Sequence, residues 1–124
     1  MEIEFRVTSH YQYCLVQHFS RYEAEKIAEK INRAAQLYIT DRTSFHRFAR
    51  RLNRDLQLRN VETSVHRIKV GRNIIAVFAI DEDPIFEQLQ VTLLSVFRHK
   101  DFEKELRSVR SQLYGDSTPP SEAL

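Results

Sequence analysis

The sequence predicts an α+β domain: an antiparallel core sheet of about four strands, an N-terminal helical hairpin packed on one face, and a short C-terminal helix. Three observations carry this reading. Two apolar runs, Asn73 to Ile80 and Leu89 to Phe97, are continuous enough for interior strands covered on both sides. A segment rich in β-branched residues, Val61 to Val70, precedes them, and Gly71-Arg72 follows it where a two-residue hairpin takes glycine at its first central position. Ahead of these strands, apolar residues recur at helical spacing in two consecutive segments.

Taken in order, Glu2 to Thr8 alternates Ile3, Phe5 and Val7 with Glu2, Glu4 and Arg6, the period of a half-buried strand. Ser9 to Phe19 reads as a short helix, with Tyr11, Cys14, Leu15 and Phe19 at helical spacing. Ser20-Arg-Tyr-Glu23 is a capping box, in which the serine hydroxyl accepts from the amide three residues on and the glutamate reaches back to the serine amide. The helix it starts places Ala24, Ile27, Ala28, Ile31, Ala34, Ala35 and Tyr38 on one face. Thr40 to Ser44 is turn and cap chemistry. Beyond it, Phe45, Phe48, Ala49, Leu52 and Leu56 share a helical face, which puts Arg47, Arg50, Arg51 and Arg54 on the opposite side of a second helix. After the sheet, Asp101 caps a last helix with Phe102, Leu106, Val109 and Leu113 facing inward and Gly115 ending it. One domain is expected over residues 1–115, with residues 116–124 a disordered tail that has nothing to bury except its last residue.

A chain of 124 residues supports a single core and not two. The single cysteine, Cys14, excludes an internal disulfide, and no cationic start leads into an apolar signal segment, so a reducing cytoplasm is expected. No apolar run approaches the roughly 18 residues of a membrane span. With only Gly71 and Gly115 there is no glycine-rich phosphate loop, and no serine sits in a nucleophile motif. The histidines show no metal-ligand spacing among themselves or with Cys14, and Asp81-Glu82-Asp83 lacks the rhythm of a calcium loop; neither metal nor cofactor is expected.

The net charge of +2 hides an uneven distribution. Between Asp41 and Arg72 nine arginines and lysines face three acidic residues, a local charge of +6 that suits a polyanion. Arg67 and Lys69, two apart on one strand, point to one face, and Arg98-His99-Lys100 ends another strand. In an antiparallel sheet these clusters can converge into an anion site.

The run from His66 through Gly71 and Ile80 to Asp81, followed by Val91 to Val96 and Phe97-Arg-His-Lys-Asp101, resembles the C-terminal half of the RelE/ParE toxin superfamily. The N-terminal strand and paired helices fit the same plan, so the resemblance spans most of residues 2–105. It implies a toxin held by a cognate antitoxin and acting as a metal-independent endoribonuclease on messenger RNA at the ribosome. By position, Arg67, Lys69, Arg98 and His99 match the family's catalytic basic residues, while Arg47, Arg50, Arg51, Arg54, Arg72 and Lys100 are the expected RNA contacts. The chain departs from the family pattern at two places: Ile75 stands where an arginine is common, unless Arg72 replaces it, and Phe102 or Glu103 stands where a tyrosine is frequent. Two other functions share the fold, a ParE-like inhibitor of a topoisomerase and a non-catalytic RNA- or protein-binding module.

RNA cleavage through its own 2′-hydroxyl requires a base near that oxygen, positive charge around the phosphorane-like transition state, and a proton donor for the leaving 5′-oxygen. Histidine is the side chain whose ordinary chemistry suits both proton transfers at neutral pH. His99 is the only one inside a basic cluster.

Overall fold

The computed structural model describes residues 1–58 and 63–114. Its elements run β1 (Glu2–Val7), α1 (Ser9–His18), α2 (Arg21–Thr40), α3 (Arg42–Phe48), β2 (Ala49–Arg51), β3 (Ser64–Val70), β4 (Ile74–Asp83), β5 (Gln88–Arg98), a 3₁₀ turn (His99–Asp101) and α4 (Phe102–Tyr114). The fold is α+β, and its one sheet has five strands in the order β1-β5-β4-β3-β2. Three of the pairings are antiparallel, but β1 lies parallel to β5, so the sheet is mixed where an antiparallel one was expected. No described helix is long and apolar enough to cross a membrane. The expected tail, Gly115 and the start of the Val61 to Val70 strand lie outside the described residues.

β4 is the central strand, and every residue from Ile74 to Ile80 is buried. Its alternate side chains feed two cores. Ile74, Ala76, Phe78 and Ile80 join Ile27, Ile31 and Phe45 on one face, while Ile75, Val77 and Ala79 join Leu52, Leu56 and Val109 on the other.

 Such a strand is apolar throughout because both of its faces are covered. Helices α1, α2 and α3 cover the first face and α4 covers the second, together with the 52–58 segment.

The local chemistry explains most of the element boundaries. Thr8 ends β1 and caps α1: its hydroxyl accepts from the Tyr11 amide at 3.1 Å and donates to the Leu93 carbonyl at 2.8 Å. The capping box at Ser20 is formed, with both hydrogen bonds to Glu23 present at 3.0 and 3.1 Å. The α2 face buries Ile27, Ile31, Ala34 and Ala35, although Ala28 is exposed. β1 is an edge strand, and only Ile3 of its three apolar residues packs on the core; Phe5 and Val7 stay exposed.

Two expectations fail in instructive ways. The second helix stops at Phe48, and Ala49 turns extended (φ −123°, ψ 141°) to begin β2, which pairs with His66–Ile68 of β3. Helical spacing from Phe45 to Leu56 was coincidental, because period 2 after Phe48 buries Ala49 and Leu52 on opposite faces equally well. The hairpin between β3 and β4 has three loop residues and not two, since Val70 pairs with Ile74 across Gly71, Arg72 and Asn73. Gly71 does take the left-handed conformation (φ +69°) that favours glycine.

A bulge in β5 sets up its far end. Val77 pairs with Ser95 but Phe78 pairs with Leu93, so Leu94 is the extra residue. Beyond it the alternation changes parity: Leu89, Val91 and Leu93 face the three-helix side, as does Val96, while Leu94 and Phe97 face α4. A 3₁₀ turn, and not an Asp101 cap, leads from β5 into α4. Phe102, Leu106, Val109 and Leu113 pack inward from that helix, as their spacing predicts.

Candidate nucleic-acid interface

α4 covers β4 and β5 and the 52–58 segment covers Val65, but the same face of β3 stays open at Arg67 and Lys69, beside Arg50 of β2. Odd-numbered residues of β3 point to this side, so Val65 enters the core while Arg67 and Lys69 reach the surface. Arg50 lies directly across from Arg67 in the β2–β3 register and adds a third cation. The 3₁₀ turn brings His99 and Lys100 to the other side. A groove of about 500 Å³ results, lined by Arg50, Arg67, Lys69, Ile75, His99, Lys100, Phe102 and Glu103. A second hollow of about 400 Å³ continues it past Arg50, Arg67 and Lys69 to His46 and Arg47.

The electrostatics favour an anion here. Among the described residues, none of these five basic side chains forms a salt bridge, whereas Arg6, Arg21, Arg42 and Arg98 each pair with a glutamate. Burial lowers the Arg67 guanidinium from its ordinary value, neighbouring Arg50 adds to the effect, and Asp55 opposes it. An arriving phosphate relieves that like-charge crowding and replaces lost hydration with charge-assisted hydrogen bonds. Half-buried Phe102 lies 6.1 Å from the His99 ring and offers an aromatic surface beside the cations.

Four of the expected site residues line neither this groove nor the hollow that continues it. Arg98 points to the three-helix side, pairs with Glu23 at 2.9 Å, and sets its guanidinium over the Phe19 ring at 4.7 Å. β5 ends at Arg98, and the 3₁₀ turn that begins at His99 carries the next side chains to the groove. Arg51 follows Arg50 on β2 and so takes the opposite face, near Tyr38 and His66. Arg54 lies in the turn after β2, and Arg72 in the β3–β4 loop; neither lines the groove. The expected arginine face of one helix therefore does not exist.

Sequence reasoning missed the contributions of Ile75, Phe102 and Glu103 as groove walls, although Lys69 opposite Ile75 follows once the hairpin register is known. It also missed that His10 and Cys14 stand one helical turn apart on α1. With Glu105 of α4 they form the one group of three metal-ligating side chains found among the described residues, away from the groove. No family model matches the chain, and comparison with curated proteins and with solved structures finds no match.

Proposed function

We propose that the groove binds the phosphodiester backbone of RNA and that the chain is a RelE-like endoribonuclease toxin, held by an antitoxin and acting on messenger RNA at the ribosome. The observation that supports this most is the meeting of Arg50, Arg67, Lys69, His99 and Lys100, from separate segments of the chain, around one groove, with no salt bridge to any of them among the described residues. Three permanent charges from β2 and β3 hold the scissile phosphate and oppose the charge that grows on it as the 2′-oxygen attacks. His99 exchanges the proton, taking it from the 2′-hydroxyl or giving it to the 5′-oxygen.

Binding without cleavage is the second reading, and a specific observation favours it. Ile75 and Phe102, at the two positions where the resembled family carries arginine and tyrosine, both line the groove. Among the described residues that line it, His99 is then the only histidine and Glu103 the one carboxylate.

The test is messenger cleavage on translating ribosomes in the presence of a chelator, with growth arrest on expression followed in parallel. His99→Ala should slow cleavage by roughly 10² to 10⁴-fold while RNA binding persists. Arg98→Ala, outside the groove, should cleave at the wild-type rate. RNA binding without cleavage selects the second reading, growth arrest without either selects a topoisomerase-type target, and wild-type protein that does not bind RNA overturns the proposal.

A further inference from the structure

At the outer edge of β5, past Leu93 where β1 ends, α1 and α4 close over the strand and bring three metal-ligating atoms together. His10 Nε2 lies 2.8 Å from Glu105 Oε1 and 3.4 Å from Cys14 Sγ, and Cys14 Sγ lies 3.9 Å from the same carboxylate oxygen. Zinc bonds of about 2.0 to 2.3 Å in tetrahedral array put ligand atoms roughly 3.3 to 3.7 Å apart, so this triangle needs only small shifts to close on an ion. Cys14 and Glu105 are buried, at 5 and 8% exposure.

The arrangement overloads one nitrogen. His10 Nε2 has Glu105 Oε1, Cys14 Sγ and, at 3.3 Å, Ser108 Oγ around it, yet it carries a single hydrogen or a single lone pair. A cation at the meeting point serves the nitrogen, the sulfur and the oxygen together. Ser95 Oγ donates to Glu105 Oε1 at 2.7 Å and fixes the carboxylate, the outer support that metal ligands commonly have.

We propose that His10, Cys14 and Glu105 form a mononuclear Zn²⁺ site whose fourth position opens onto the adjoining hollow. That hollow, of about 370 Å³, is lined by Cys14 and Glu105 together with His18, Arg98, Lys100 and Lys104. Thiolate, imidazole and carboxylate together suit a borderline-soft ion and not calcium or magnesium, which take oxygen donors. Binding forms the Zn–Sγ, Zn–Nε2 and Zn–Oε1 bonds; the Cys14 proton goes to solvent, and the proton shared by His10 Nε2 and Glu105 Oε1 goes to His10 Nδ1 or to solvent. Water from the hollow fills the fourth position.

Metal-free full-length protein titrated with Zn²⁺ should take up one equivalent and unfold at a higher temperature when loaded. Co²⁺ in its place should give the absorption of a thiolate-bound tetrahedral ion. Cys14→Ser should abolish the thiolate band and weaken Zn²⁺ binding by 100-fold or more, and His10→Gln should weaken it comparably. Circular dichroism establishes that both variants are folded; if either is not, wild-type Co²⁺ absorption alone decides. Absence of the thiolate band in wild type, or unchanged affinity in a folded Cys14→Ser, overturns the proposal. No RNA enters these measurements, so their outcome is separate from that of the groove.

Discussion

His66 sits in a β3 position whose neighbours Arg67 and Lys69 reach the surface, yet it is only 2% exposed. Its ring packs edge-on against Phe45 at 4.9 Å and near-parallel to Phe78 at 6.1 Å, and its Nδ1 has no hydrogen-bond partner among the described residues. Burial, with Arg51, His46 and Arg42 adding repulsion, pushes its pKa down to about 4. The folded state therefore takes up this proton at lower pH than the unfolded chain does. Stability from this group is fully present above the unfolded value near 6.5 and is lost as pH falls toward about 4, by about 3 kcal/mol in all. Urea midpoints across that window should fall for the wild type, and His66→Leu should flatten the fall. An equal slope in the variant would place the titration elsewhere.

At the scale of elements, the change from α3 to β2 at Ala49 decides which phenylalanine matters. Phe45 is fully buried among Tyr38, His66 and the α2 face, while Phe48 is half-buried with Lys30 over its ring at 5.8 Å. Phe45→Ala should cost about 3 to 5 kcal/mol in denaturant unfolding and Phe48→Ala clearly less. A continuous helix through Leu56 would have buried both alike. The α2 cap gives a second test: Ser20→Ala should cost about 1 kcal/mol, because it leaves the Glu23 amide without its acceptor.

For the whole molecule, the sheet sorts the basic residues between its two faces. Arg50 and Arg67 stand across from each other on the open face, and Arg51 lies on the other. If RNA lies along the groove, Arg50→Ala with Arg67→Ala should lower the slope of log affinity against log salt by about 0.7 for each lost phosphate contact on a single strand. Arg51→Ala with Arg54→Ala should leave that slope unchanged. Equal losses in both pairs would mean binding by diffuse charge and not by the groove.

The sequence by itself determined the elements whose signals are local. The Ser20–Glu23 capping box, the helical period of α2 and α4, a turn at Gly71 and the apolar runs of β4 and β5 all depend on neighbours a few residues away, and each is found where it was expected, although the turn has one residue more than expected. The shared face of Arg67 and Lys69 was also legible, since strand alternation fixes their side, and of the Arg98-His99-Lys100 cluster expected to meet them His99 and Lys100 line the same groove. Only the tertiary structure decided the rest. The parallel pairing of β1, the β2 strand and the Leu94 bulge depend on partners 15 to 86 residues away, which no local period encodes. For the same reason Arg98 left the expected site, and His10, Cys14 and Glu105 met: strand parity and the crossing of α1 with α4 place these side chains, and both are properties of the packed sheet.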